Sequence, residues 1–143
     1  MNDFRRLSPT MLASPQIAPD DLEDAEKAGV TLVVNNRPDG EEPSAPQSDA
    51  IEAAARDRGM EYLYLPITHS GIGAAQIDSL AAALEKNDGA TLGYCRSGTR
   101  STMVWALAQA KMGQSPDDLI EAAGKAGYDL APIRPMLDMM AAR

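Results

Sequence analysis

Thr91-Leu-Gly-Tyr-Cys-Arg-Ser-Gly-Thr-Arg-Ser-Thr-Met103 is the stretch of this 143-residue chain on which its fold depends. It places Cys95, the only cysteine, at the end of an apolar run typical of a strand and before a polar loop that opens into a helical pattern. A sulfur in that position faces unpaired backbone N–H groups at the positive end of a helix. Such surroundings favour a reactive thiolate and bind anions.

Composition limits the chemistry open to this loop. One cysteine and one histidine exclude an internal disulfide and a structural zinc site, so we expect no metal and no cofactor. The formal net charge of −8 argues against nucleic acid as a partner. The sequence shows neither a signal peptide nor an apolar run of membrane-spanning length, which favours a cytoplasmic protein without a membrane partner. The length predicts a single domain over residues 1–143, with 1–10 as a loose segment.

Hydrophobic periodicity predicts alternating strands and helices outward from the cysteine loop in both directions. The predicted strands are 11–13, 31–35, 61–65 and 90–94. The predicted helices are 19–28, one that begins at about 48 and is closed by Gly59, one through 77–84 that ends near Asn87, one through 103–108 that is stopped by Gly113, 116–126 and 135–142. Such alternation indicates an α/β fold with three layers, in which helices cover both faces of a mainly parallel, four-stranded sheet.

In a parallel sheet the loops that follow the strands gather at one edge, where ligands usually bind. The loop 36–47 is long and polar, as is typical of functional loops, and the loop 67–73 contains the only histidine. The sequence therefore predicts that one edge of the sheet brings together Arg37, Asp39, His69 and Cys95.

The residue types of the cysteine loop suggest a role for each side chain. Cys95 would be the nucleophile, Gly98 would permit the tight turn, and Arg100 would clamp an anion. Arg96 either contributes positive potential or points to solvent, and Ser101 either hydrogen-bonds the thiolate or caps the helix. The anion would lie in a cradle of backbone N–H groups from Arg96, Ser97, Gly98, Thr99, Arg100 and Ser101.

Three residues outside this loop have two interpretations each. His69 could donate a proton near neutral pH, or it could be a solvated loop residue. Arg37 could order its loop beside Cys95, while Asp39 acts as an acid or base. Alternatively, the run 36–40 provides only turn geometry.

The run Cys95-Arg-Ser-Gly-Thr-Arg100 resembles the active-site loop of rhodanese-type sulfurtransferases, in which four residues separate Cys and Arg. Most of the chain resembles another group, the phosphatase-like domain family of beta-lactamase-hydrolase-like proteins, some of which are labelled sulfur transferases. This second resemblance runs from about Met11 through Asn35-Asn-Arg-Pro-Asp-Gly-Glu41 and Leu65-Pro66-Ile67 to Gly127-Tyr-Asp129. That family is similar to dual-specificity cysteine phosphatases, which implies a cysteine-phosphatase-like fold.

The chain departs from the pattern of those phosphatases at two places. They have five residues between Cys and Arg, whereas here the sixth position after the cysteine is Ser101 and the arginine comes one residue earlier. They also carry an aspartic general acid in the loop after a Leu-Pro strand end, where this chain has His69. A shorter loop makes a smaller cradle, and a phosphomonoester needs an acid to protonate its leaving group.

These departures favour sulfur transfer through a persulfide on Cys95, because a thiolate or sulfite leaves without a strong acid. The partners would be a small anionic or sulfane-sulfur substrate and an external thiol or protein acceptor. A phosphatase acting through a phosphocysteine and a non-catalytic anion-binding or regulatory domain are the alternatives. Nothing in the sequence indicates the oligomeric state.

Overall fold

A computed structural model describes residues 2–142 and shows five strands, six α-helices and two 3₁₀ turns among them. The strands are β1 (Arg5–Ser8), β2 (Met11–Ser14), β3 (Val30–Asn35), β4 (Glu61–Tyr64) and β5 (Ala90–Tyr94). The helices are α1 (Leu22–Lys27), α2 (Ser48–Asp57), α3 (Ala74–Lys86), α4 (Thr99–Lys111), α5 (Pro116–Lys125) and α6 (Arg134–Ala141), with 3₁₀ turns at Pro19–Asp21 and Ala131–Ile133.

The strand order in the sheet is β1-β2-β5-β3-β4. The four strands from β2 to β4 in this order are parallel, as predicted, and β1 is antiparallel to β2 at the edge. The sheet therefore has five strands rather than the predicted four, and Arg5–Ser8 is ordered rather than loose. The reason is that β1 pairs Arg5 with Ala13 and buries Leu7, which is 5% exposed.

Two apolar cores lie on the two faces of the sheet and confirm the three-layer arrangement. On one face α3, α4, α5 and α6 surround a core that includes Trp105, Leu107 and Val34. On the other face α1 and α2 cover a smaller core that includes Leu22 and Ile51. The alternation of inward side chains along β3 supplies both cores, because successive side chains of a strand point to opposite faces.

The parallel strands end at the same level, which determines where the functional loops lie. Tyr94 at the end of β5 is opposite both Ser14 of β2 and Asn35 of β3, and Asn35 is opposite Tyr64 of β4. The loops that follow these strands consequently start side by side along one edge of the sheet. Within residues 2–142, no helix is long and apolar enough to span a bilayer.

Candidate active site

Cys95 lies directly after β5, in a tight loop that leads into α4. Its backbone N–H donates to the carbonyl oxygen of Ser14 at 3.3 Å, and its side chain is completely buried. The backbone N–H of Gly98 donates to Cys95 Sγ at 3.1 Å. The sulfur thus lies at the start of α4, where unpaired backbone N–H groups and the helix dipole stabilise negative charge.

Gly98 gives this loop its curvature. Its φ of +94° belongs to the left-handed region, which glycine adopts without steric cost. The side chain of Tyr128 packs on the same turn, and its hydroxyl donates to the carbonyl oxygen of Ser97 at 3.0 Å. The loop is therefore fixed both by its own backbone and by a side chain from the segment after α5.

Arg100, in the first turn of α4, forms a two-pronged ion pair with Glu41. Its Nη1 and Nη2 atoms donate to Glu41 Oε2 and Oε1 at 2.8 and 2.7 Å, and Nη1 also donates to the carbonyl oxygen of Ile67 at 2.8 Å. The Glu41 carboxylate raises the pKa of Arg100, burial opposes this rise, and the nearby Cys95 sulfur adds to it. These contacts confirm that the loops after β3, β4 and β5 meet.

Glu41 is shared between two guanidinium groups. Arg37 Nε donates to Glu41 Oε1 at 2.9 Å, while Arg37 Nη1 donates to Gln16 Oε1 at 3.0 Å. The hydrogen bonds from Arg100, and secondarily from Arg37, lower the pKa of Glu41 to about 2. The sequence did not identify Glu41 as a site residue. The one signal in the sequence was its position four residues after Arg37, a spacing that suits an ion pair between the two side chains.

Ser101 is completely buried and connects the cysteine loop to the neighbouring loops. Its Oγ donates to Asn36 Oδ1 at 2.7 Å, and Asn36 Nδ2 donates in turn to the carbonyl oxygen of Leu65 at 2.9 Å. The hydroxyl proton of Ser101 is therefore directed to Asn36. Asn36 is a second site residue that the sequence did not reveal, because its partners are distant in the chain.

Asp39 and His69 occupy different surroundings on this edge of the sheet. Asp39 is exposed, and its Oδ1 accepts the backbone N–H of Ser48 at 2.8 Å, so its carboxylate caps the first turn of α2. Its own N–H donates to Tyr64 Oη at 2.8 Å. His69 is exposed in a turn, and its imidazole makes no hydrogen bond to the part of the chain between residues 2 and 142.

The remaining predicted loop residues lie at the surface of the site. Arg96 and Ser97 are exposed, and Thr99 is partly buried. Ser97 Oγ donates to Thr99 Oγ1 at 2.9 Å and accepts the Thr99 N–H at 3.3 Å, which orders the turn before α4. No cluster of three or more His, Cys, Asp or Glu side chains among residues 2–142 has the arrangement of a metal site.

Comparisons with known proteins place this geometry among phosphatase-like domains. Residues 3–112 match the family described as the phosphatase-like domain of beta-lactamase hydrolase-like protein. A beta-lactamase hydrolase-like protein of Xylella fastidiosa is 40% identical over 105 residues, which are 73% of this chain and 24% of the relative. The chain thus spans about a quarter of the length of that relative.

Two solved structures share the fold over nearly the whole chain. A candidate phosphatase from Neisseria meningitidis superposes with a TM-score of 0.82 at 28% identity, covering 95% of this chain and 96% of the other. TpbA of P. aeruginosa, at 19% identity, has a TM-score of 0.67 and covers 99% and 89%. A cysteine-to-serine variant of TpbA has also been solved in complex with phosphotyrosine.

Proposed function

We propose that this chain, which belongs to the phosphatase-like domain family of beta-lactamase hydrolase-like proteins, hydrolyses phosphomonoesters through Cys95. The observation that carries the proposal is the Cys95 sulfur at the start of α4, with the Gly98 N–H 3.1 Å away and Arg100 beside it. A thiolate held in this way is a nucleophile for a tetrahedral anion. The phosphotyrosine complex of TpbA supports an aryl phosphate as the first substrate to test.

The reaction requires two displacements at phosphorus. The Cys95 thiolate attacks the phosphorus atom, a P–S bond forms, and the P–O bond to the leaving group breaks as that oxygen takes up a proton. Water then attacks the phosphocysteine, the P–S bond breaks, and phosphate leaves with the thiolate restored. Arg100 and the backbone N–H groups of the loop stabilise the charge on the phosphoryl oxygens in both steps.

The proton for the leaving group comes from His69 in this proposal. Glu41 does not supply it, because the two arginines lower the pKa of Glu41 to about 2 and keep it ionised at neutral pH. Asp39 is engaged with the N-terminus of α2 through Ser48. His69 lies on the loop after β4, two residues after Ile67, whose carbonyl oxygen accepts a hydrogen bond from Arg100, so this loop borders the site.

Sulfur transfer is the second candidate, and the position of Ser101 favours it. Ser101 stands where the phosphatase pattern has arginine, and its hydroxyl is directed to Asn36, so the cradle lacks a guanidinium at that position. The Cys95 thiolate would attack the outer sulfur of thiosulfate, forming an S–S bond while the original S–S bond breaks and sulfite leaves with its electron pair. An external thiol would then take the sulfur from the persulfide.

One pair of assays separates the two candidates. The first follows hydrolysis of p-nitrophenyl phosphate, and the second measures the intact mass of the protein after incubation with thiosulfate. We expect aryl phosphate turnover that Cys95→Ser reduces by at least about a thousandfold. A one-sulfur adduct on Cys95 without aryl phosphate turnover would reject the phosphatase proposal in favour of sulfur transfer, and neither activity would reject both.

A further inference from the structure

The hydrogen bonds of Arg100 leave one particular edge of its guanidinium group open. A guanidinium carries five N–H donors in a rigid plane. Glu41 takes one N–H from Nη1 and one from Nη2, and the carbonyl oxygen of Ile67 takes the other Nη1 hydrogen. The two remaining donors, at Nε and Nη2, lie on the same edge and donate to no oxygen acceptor among residues 2–142, while the guanidinium also interacts with the Cys95 sulfur. That edge is the bidentate fork that binds an oxyanion.

We propose that Glu41 is a positioning residue, which holds Arg100 so that its Nε and Nη2 donors face the anion bound above Cys95. This inference rests on the proposed function insofar as the bound group is an oxyanion. Glu41 touches the donors on the far edge of the guanidinium and leaves the Nε edge free. Its task is therefore to orient the arginine rather than to contact the substrate.

The early position of the arginine explains why such a support is needed. Successive residues of a helix project in directions about 100° apart, so a side chain at the fifth position after Cys95 leaves α4 in a different direction from one at the sixth. The sixth position is Ser101, which is buried and bound to Asn36. Glu41 and the Ile67 carbonyl fix Arg100 from two loops and compensate for this displacement.

The charges of Arg37, Glu41 and Arg100 indicate that Glu41 supports Arg100 and does not neutralise it in competition with the bound anion. Arg37 donates to the same Glu41 oxygen that accepts from Arg100 Nη2, so one carboxylate faces two guanidinium groups. The three side chains together keep one net positive charge beside the cysteine loop. Arg37 is also bound to Gln16 in the loop after β2. The chain of contacts from Gln16 through Arg37 and Glu41 to Arg100 thus joins three loops around the anion position.

Tungstate binding to the Cys95→Ser protein tests this role without requiring turnover. Isothermal titration calorimetry would compare that parent with the same protein carrying Glu41→Gln, which removes the charge of Glu41 at nearly constant size. The matched control is Glu42→Gln, because Glu42 is the next residue, is exposed, and bonds through its carboxylate to Ser44 of its own turn. We expect about tenfold weaker tungstate binding with Glu41→Gln and a change of less than about twofold with Glu42→Gln.

A double-mutant cycle makes the test specific for Arg100. If Glu41 acts through Arg100, Glu41→Gln has no further effect on tungstate affinity once Arg100→Ala is present. An unchanged or stronger affinity with Glu41→Gln alone would overturn the inference, and so would additive losses in the double variant. Glu41→Asp, which keeps the charge on a shorter side chain, should bind tungstate with intermediate affinity. If the Cys95→Ser parent protein binds no tungstate, the proposed function itself is overturned. If the parent binds tungstate tightly and Glu41→Gln does not change the affinity, only this inference is overturned.

Discussion

Gly98 is the residue whose backbone sets the shape of the cysteine loop. Its φ of +94° is unfavourable for any residue with a Cβ atom, and a Cβ here would overlap the Tyr128 hydroxyl and lie 2.8 Å from Tyr128 Cζ. We expect Gly98→Ala to lower the free energy of unfolding by about 2–4 kcal/mol, because both the strain and the overlap must be relieved. Urea unfolding followed by circular dichroism measures this change.

Gly124, near the end of α5, provides the matched control for that substitution. It is exposed, and a Cβ added there meets nothing within 4 Å. Gly124→Ala should therefore raise the free energy of unfolding by about 0.5–1 kcal/mol, since alanine is the better helix former. If both variants changed stability in the same direction and by the same amount, the special role of Gly98 would be disproved.

The sequence predicted the site residues that belong to local patterns and missed those that act across the fold. Cys95, Gly98 and Arg100 occur together in one strand-loop-helix pattern, so their proximity followed from the sequence alone. Glu41 and Asn36 are separated from their partners Arg100 and Ser101 by 59 and 65 residues. Such contacts depend on the exact path of a long loop, which residue periodicity does not determine.

At the scale of elements, the loop between β3 and α2 is held to the site by an ionised carboxylate. The pKa of Glu41 is about 2 in the folded protein, against an ordinary value of 4.5. Because the pKa of Glu41 is lower in the folded state, its ionised carboxylate stabilises the fold fully at pH values above 4.5. This contribution is lost as the pH falls from 4.5 toward 2. Since 26% of the Glu41 side chain is exposed, screening limits the contribution to about 1–2 kcal/mol.

Glu41→Gln should therefore change how stability depends on pH. Compared with the unmodified protein, the variant should be less stable by about 1–2 kcal/mol at neutral pH, and the difference should shrink as the pH falls below 4.5. Urea unfolding at a series of pH values gives the two curves. Glu85→Gln is the control, because Glu85 is exposed on α3 and forms no ion pair with residues 2–142. A difference between Glu41→Gln and the unmodified protein that stays constant down to the lowest pH would contradict the assignment.

The elements themselves could be predicted from periodicity, with one exception. The four parallel strands and the helices that connect them follow apolar patterns, whereas β1 has only one buried apolar side chain, Leu7, among Arg5, Arg6 and Ser8. An edge strand with one partner needs no continuous apolar run, so its sequence looks like a polar tail. Pairing with the neighbouring strand β2 orders β1, although the sequence of β1 alone does not predict a strand.

At the scale of the whole molecule, the segment beyond the family match completes both the core and the site. The match covers residues 3–112, but α5, α6 and the segment between them lie after it and contribute Leu119, Leu137 and Leu130, respectively, to the larger core. Tyr128 from this segment bonds the cysteine loop, and the guanidinium of Arg5 in β1 lies 5.1 Å from the centre of its ring. Strand β1 and the segment after α5 thus meet next to the loop that carries Cys95.

Substitutions within α6 test whether this segment is part of the cooperative fold. Leu137 is completely buried against α4, and Leu137→Ala should lower the free energy of unfolding by about 2–4 kcal/mol through the cavity it leaves. Met139 in the same helix is 55% exposed, so Met139→Ala should change it by less than about 0.5 kcal/mol. Chemical denaturation followed by tryptophan fluorescence suits this comparison, because Trp105 is buried in the core that Leu137 joins. Equal effects of the two substitutions would mean that α6 is an appendage, and that the fold is already complete within the matched residues.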